Sequence, residues 1–285
     1  MSERPVQTEP TGDGPLRTFV GLFFVPLMVV LLCIAVFIGF GWIAYDHQTT
    51  SDYLNDLRSG WRPRRAQAAY ELSKILIADP SALEDDPGAR AELRSLFEQA
   101  DKGEMKRYLA LVLGYTRDRE STPLLIEAVS DENSETRIYA LMALGVLGDP
   151  AATPTLVEAL ANPDPGIRKT AAHALGELGV ESSAAELEPL LADPVADVRW
   201  NAALSASRLG STAGVSVLFE MVDREMIGQV PEITPAQAEE VMVNGIVALG
   251  ISGVTEARPI LQKLSDTDPS LKVRQAAMEA LRVLG

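Results

Sequence analysis

Few side chains in this sequence are equipped for chemistry. Its 285 residues include two histidines, His47 and His173, and one cysteine, Cys33. A nucleophile needs a base within hydrogen-bond reach, and two scattered histidines supply no such pair. A structural or catalytic zinc would need clustered Cys and His at short spacing, which is missing. No glycine-rich loop is present to cradle a phosphate. A single cysteine also excludes an intramolecular disulfide framework. Carboxylates are plentiful, as in Glu84-Asp85-Asp86 and Asp131-Glu132. They fall in expected loops, where solvated charge is the ordinary condition. These residues point to a chain with no catalytic group, no metal and no cofactor.

The elements that position the residues fall into two parts of unlike composition. Residues 1–45 carry Arg4 and Arg17 against Glu3, Glu9 and Asp13, so nearly all of the net charge of −15 belongs to the remainder. A surface that acidic repels nucleic acid and anionic lipid. From Thr18 to Tyr45 no residue is charged. A helix of that length would rise about 40 Å, against roughly 30 Å for a hydrocarbon core. Trp42 and Tyr45 stand where an interfacial aromatic belt would, and Arg17 marks the other edge. A cleaved signal would have an apolar stretch of only about 7–15 residues and a small-x-small site. The expectation is a tail over 1–17, a retained transmembrane helix over 18–45 and a second domain over 46–285. Counting Lys and Arg alone, Arg58, Arg62, Arg64 and Arg65 put that domain on the cytoplasmic side. Weighting by proximity favours Arg17 and puts it outside. The count is followed here: a single-pass membrane protein with a cytoplasmic domain, the extracytoplasmic side left open.

Beyond the apolar run one pattern recurs: an apolar residue, Arg, Ala three further on, Ala-Leu-Gly at six to eight, and Leu-Gly at ten and eleven. It is clearest at Arg137, with Ala140, Ala143-Leu144-Gly145 and Leu147-Gly148, and at Arg168, with Ala171, Ala174-Leu175-Gly176 and Leu178-Gly179. It returns at Arg199 and Arg274, with weaker copies at Arg65, Lys106 and Met242. Intervals of 31 residues separate 106, 137, 168 and 199, while the steps 65–106 and 199–242 are about ten to twelve longer. A period sustained in this way indicates a solenoid. Apolar spacing of three, four and seven is helical, and the closing Gly is a C-cap signal. Shorter amphipathic stretches over 52–58, 91–100, 122–129, 153–161, 183–192, 213–222 and 255–264 supply a first helix to each copy. The fold class is therefore all-α: an N-terminal transmembrane helix followed by an α-solenoid of about seven helix pairs, each buried by stacking on its neighbours.

These copies, with Asp193-Pro194, Asp197-Val198-Arg199 and Leu209-Gly210 among the best, resemble the HEAT-like repeat family in its short bacterial form, named after phycobilisome lyases. The resemblance covers about residues 50–285. It implies the fold strongly and the function weakly, since such repeats serve scaffolds and a few enzymes alike. Deoxyhypusine hydroxylase, built from similar repeats, binds two irons through His-Glu dipeptides, and this chain has none. Bilin lyases attach tetrapyrroles to client cysteines, and only the repeat likeness supports that activity here.

The recurrent Arg is expected to bond the Asp or Asn that opens the preceding turn (Asp131, Asn162, Asp193, Asp266), giving a ladder of charge-assisted bonds. The Ala and Gly positions are expected to permit close helix approach. Positions one, five and nine after each anchor should form a stripe away from the core, lining the inner surface of the solenoid. At Arg168 the stripe is polar: Lys169, His173 and Glu177. At Arg137 and Arg199 it is apolar, and Ile138, Tyr139, Met142, Trp200 and Leu204 are expected to form a partner-binding patch. The competing reading buries them against one another. A second candidate is the insertion 223–238, rich in apolar residues. The function expected from all this is a membrane-anchored scaffold for a protein partner, as an accessory or assembly subunit of a membrane complex. Neither nucleic acid nor a small-molecule substrate is expected. The alternative is a lyase-like or protein-modifying enzyme.

Overall fold

The structure, a computed structural model, describes residues 24–44, 49–100 and 103–285. The expected tail over 1–17, residues 18–23, and Tyr45, Asp46 and His47 lie outside them. The chain divides into two compact units, Met1–Thr49 and Thr50–Gly285.

In the first unit, α1 (Val25–Ala44) is an apolar helix of 20 residues. Side chains from Leu27 to Ile38 are exposed along it, Phe37 the most at 81%. Among the described residues no helix is long and apolar enough to cross a membrane. The expected transmembrane helix over 18–45, the membrane anchoring and the cytoplasmic placement of the repeats are corrected accordingly.

The second unit consists, among the described residues, of seven helix pairs. The second helices are α3 (Arg62–Ala78), α5 (Glu104–Tyr115), α7 (Ser134–Leu147), α9 (Pro165–Leu178), α10 (Ala196–Arg208), α13 (Pro235–Ile251) and α15 (Leu271–Val283). Each packs on the next, making one continuous layer. The first helices are α2 (Thr50–Ser59), α4 (Pro87–Glu98), α6 (Thr122–Ala128), α8 (Thr153–Ala159), α11 (Val215–Met221) and α14 (Arg258–Thr267). In the fifth pair, Glu181–Ala192 is wound as 3-10 turns instead of the expected α-helix. Pro189 lies inside it, and a proline there has no N–H to donate and crowds the preceding turn. The insertion carries a short helix of its own, α12 (Arg224–Gly228).

Glycine sets the spacing of the layer. A Cβ at Gly114 would lie 2.7 Å from Ala143 Cα, one at Gly145 2.8 Å from Ala174 Cα, and one at Gly250 3.1 Å from Ala280 Cα. Gly at position eight of one repeat thus meets a small residue at position six of the next, Ala in these three cases and Ser205 opposite Gly176, the close helix approach expected of these positions. The sixth pair breaks the rule, because position eight of α10 is Ser207. Its hydroxyl donates to the Ala248 carbonyl at 3.0 Å, filling the wider gap. At this joint the core divides into two clusters, with Trp200 and Ala203 of α10 on the C-terminal side. The C-caps also follow the pattern: Gly148 and Gly179 sit at φ +71° and +75°. The equivalent position in the second pair is Arg117, left-handed at φ +53° without glycine's freedom.

A second ladder runs along the repeats, and it differs from expectation in its direction. Arg168 Nε and Nη2 donate to Asp193 at 2.8 and 3.1 Å, in the turn of the following repeat. Its Nη1 donates to the carbonyl of Asn162 in its own preceding turn at 2.8 Å. Lys106 reaches Asp131 in the same forward direction at 2.8 Å. At these two steps the carboxylate ties one repeat to the next, while the turn before the helix offers backbone oxygens. Each of these residues also accepts a backbone N–H two positions on: Asp131 from Asn133, Asn162 from Asp164, Asp193 from Val195. In the last repeat that role falls to Asp268, bonded by Ser270 N–H at 2.9 Å, and not to Asp266, which accepts from Gln262. Where Asn162 replaces Asp the rung is incomplete, and Arg137 Nε is buried without a hydrogen-bond partner.

Two outcomes follow. In an open helix, Gly to Ala stabilises by up to about 1 kcal/mol. Gly145→Ala should instead cost about 2 kcal/mol or more, because Ala174 backbone must yield. Gly228→Ala, with nothing within 4 Å, is the control and should be neutral or stabilising in denaturant titration. The hydrogen bonds from Arg168 hold the Asp193 carboxyl below the usual carboxylate range, against a smaller opposing effect of burial. A depressed folded pKa contributes stability above the unfolded value of about 3.9, lost as pH falls through the folded value. Asp193→Asn should therefore lower stability at pH 7 by about 2 kcal/mol and flatten its decline on acidification below pH ~4, both read by melting temperature.

Candidate functional site

The second-helix layer presents the side chains at offsets one, two, five and nine, and it divides into three stretches of different character. In the first, aromatic rings cross the repeats. Tyr70 of α3 lies 5.2 Å from Tyr108 of α5, which meets Tyr139 of α7 edge-on at 6.2 Å. Such pairs contribute about 0.5–1.5 kcal/mol beyond their buried area. Arg107 stacks its guanidinium 5.9 Å from the Tyr139 ring and pairs with Glu135. Ile138 and Tyr139 are half-buried against the core, whereas Met142 is exposed at 37%. Three of the five residues expected in the patch are thus together at one end of the aromatic row.

The middle stretch is polar, as expected at Arg168. Lys169 donates to Asp197 at 3.2 Å, and Arg208 pairs with Glu177 at 2.9 Å. His173 stands beside them, 4.0 Å from Glu177. Burial depresses its pKa below the usual imidazole range, opposed by Glu177. Among the described residues no group of three or more His, Cys, Asp and Glu side chains is arranged to hold a metal ion. Two of the carboxylates singled out in the sequence have structural partners. Asp86 accepts from Ala89 N–H at 2.8 Å and caps α4, and Asp131 holds Lys106.

In the third stretch the structure corrects the expected patch. Trp200 is only 6% exposed. The insertion covers it, with Val230 and Ile233 packed against the cluster to which Trp200 belongs. Trp200 and Leu204 are consequently separate from Ile138, Tyr139 and Met142. They form the floor of an open cavity of about 570 Å3 roofed by Val230, Pro231 and Ile233. The physical reason is the insertion itself, which brings apolar groups that sequence spacing places nowhere in particular.

The insertion is held by an ion pair invisible in the repeat pattern. The sixth repeat has Met242 at its anchor, which cannot donate to Asp268 as Arg168 donates to Asp193. Arg224 of α12 supplies the missing guanidinium, bonding Asp268 at 2.8 and 2.7 Å. Burial pushes the Asp268 carboxyl up, but Arg224 and Ser270 N–H outweigh it and hold its pKa below the usual range. Thr234 and Gln237 close the insertion with a reciprocal capping box at the start of α13. The one signal in the sequence was the apolar anchor at 242 opposite an unmatched Asp. Arg224→Ala should leave Asp268 buried without its partner and release the insertion. Hydrogen exchange should then accelerate across residues 224–234 and at the start of α13, with the amides of α7 and α9 unchanged.

Comparison with known proteins bears on the fold. A family model described as HEAT repeats matches residues 90–166, 126–207 and 153–226. No curated protein matches the sequence. Among solved structures, the complex of CpcE and CpcF of phycocyanin lyase from Nostoc sp. PCC7120 is similar at 18% identity. It covers 98% of this chain and 92% of that one, with a TM-score of 0.58. Escherichia coli YibA is similar at 16% identity over 83% of this chain and 92% of its own, with a TM-score of 0.50. Human deoxyhypusine hydroxylase follows at 19% identity over 82% and 95%, but its TM-score of 0.38 carries no argument. Likeness at these identities concerns the fold. Residues 90–226 thus carry HEAT repeats, and the fold is all-α and solenoid-like, of the kind seen in the phycocyanin lyase complex.

Proposed function

We propose that this chain is a non-enzymatic scaffold that docks another protein on its second-helix layer, as an accessory or assembly subunit of a larger complex. The observation that carries this reading is the apolar group at the end of the tyrosine row, where exposed Met142 adjoins Ile138 and Tyr139. Large, partly rigid apolar side chains backed by packed aromatics are the kind of anchor that dominates protein interfaces. Leu204, partly buried, offers a second contact further along. One structure of like fold, phycocyanin lyase, is itself a complex of two proteins, which supports association through repeats of this type.

A lyase-like or protein-modifying activity is the second reading, favoured by the same likeness. Titrating a free tetrapyrrole into the purified chain would reveal it as a shifted absorption band. No such shift is expected from a scaffold.

The test uses position 142, because Trp200→Asp would break a buried contact and unfold the region whatever the function. A photo-reactive benzoylphenylalanine at 142 should capture a discrete partner, identified by mass spectrometry. Met142→Asp should weaken co-purification of that partner at least tenfold, with melting temperature within about two degrees of the parent. Undiminished capture in Met142→Asp would exclude this face.

A further inference from the structure

Three open cavities lie end to end along α10, α13 and α15. The first, about 570 Å3, runs beneath the insertion past Trp200 to Asn201, Leu204 and Asn244. The second, about 240 Å3, shares those last three residues and continues to Val247 and Ile251. The third, about 530 Å3, shares Val247 and Ile251 and ends at Val283. They follow one another across the layer through shared residues of α10 and α13, with Arg208 at the edge of the second and Lys272 and Glu279 at the edge of the third.

Three features of this groove identify what fits it. Asn201 and Asn244 occupy the same offset, two after the anchor, on successive second helices. Each carboxamide presents an acceptor and two donors. Asn201 spends one donor on the Asp197 carbonyl at 2.8 Å, which leaves its oxygen available, and Asn244 is exposed. An extended chain carries unpaired backbone N–H and C=O groups for such partners, whereas a helix satisfies its own. The floor beyond them is apolar and open, with Val247 exposed at 47%, Ile251 at 61% and Val283 at 63%. Charge distinguishes the two ends. Asp197 is matched by Lys169 and Glu239 by Lys272. Glu232 and Glu240, both lining the first cavity, make no ion pair among the described residues. The uncompensated charge at the insertion end is therefore negative.

We propose that this groove takes an extended segment of another protein, with Lys or Arg at the end that meets Glu232 and Glu240 and apolar residues toward Val247 and Ile251. The backbone of that segment bonds Asn201 and Asn244, and its apolar side chains enter the outer cavities. The insertion defines the cationic end, because Glu232 is carried on it. This deepens the scaffold reading and rests on it, though on residues distinct from the Met142 group.

The test is selection of a random displayed dodecapeptide library on the immobilised full chain, followed by fluorescence anisotropy of synthetic winners. Enriched peptides should share Lys or Arg at one end and alternating apolar residues toward the other. Asn201→Ala with Asn244→Ala should weaken them at least tenfold, as should Glu240→Lys, and affinity should fall in high salt. Ile251→Lys, at an exposed site, serves as a second variant free of folding effects. Met142→Asp should leave peptide affinity unchanged. The proposal is overturned if nothing is enriched, if the winners are acidic or bind as helices, if they merely bridge two copies of the chain, or if these variants bind them undiminished. Such a failure alongside intact partner capture at position 142 would leave the scaffold reading standing and remove only this groove.

Discussion

Contact between a glycine on one second helix and an alanine on the next governs the remainder of this fold. Gly114 meets Ala143 and Gly145 meets Ala174 at separations that leave no room for a Cβ, and Gly250 meets Ala280 at one where a Cβ would be tight. Because the backbones touch, the leucines on either side interdigitate and are buried completely, as Leu113, Leu144 and Leu175 are. Density of this kind forfeits dispersion energy quickly if a gap opens. The spacing also fixes the register in which the forward-reaching cations find the next turn, so Arg168 meets Asp193 as a consequence of the glycine step.

That dependence explains the exception as well as the rule. With Ser207 at the glycine position, α10 and α13 are held through a hydroxyl–carbonyl bond instead of backbone contact. The core divides there into two clusters. It is also there that the extra residues of the insertion fold back, covering Trp200 with Val230 and Ile233. The displaced ladder rung is restored by Arg224, which reaches Asp268 from outside the repeat. A break in one periodic contact is thus offset by an aperiodic one, and the groove along α10, α13 and α15 is the surface that results.

The functional reading draws on this difference between the two halves of the layer. The regular half carries a tyrosine row ending in Ile138, Tyr139 and Met142. The irregular half carries a groove with a carboxamide pair, an apolar floor and an acidic mouth. Burial lowers the pKa of His173 against the opposing charge of Glu177, and Asp86 and Asp131 cap and brace neighbouring helices.

How much of this was legible beforehand follows from which contacts are periodic. The 31-residue interval, the closing Leu-Gly and the position-eight glycine determined the helix pairs, their stacking and the C-caps, because each copy obeys the same local geometry as the next. Short-range chemistry alone misplaced the helix at Glu181–Ala192, where Pro189 favours 3-10 turns, and assigned the ladder to Asp266 in place of Asp268. It also made a membrane span of the apolar run, and no described helix meets that requirement. Only the tertiary structure decided that Trp200 is covered, that Arg224 replaces the guanidinium absent at Met242, and that Asn201 and Asn244 share a groove. Those outcomes depend on where an insertion with no repeat partner comes to rest. Periodicity carries no information about such a segment, and long-range packing alone sets its place.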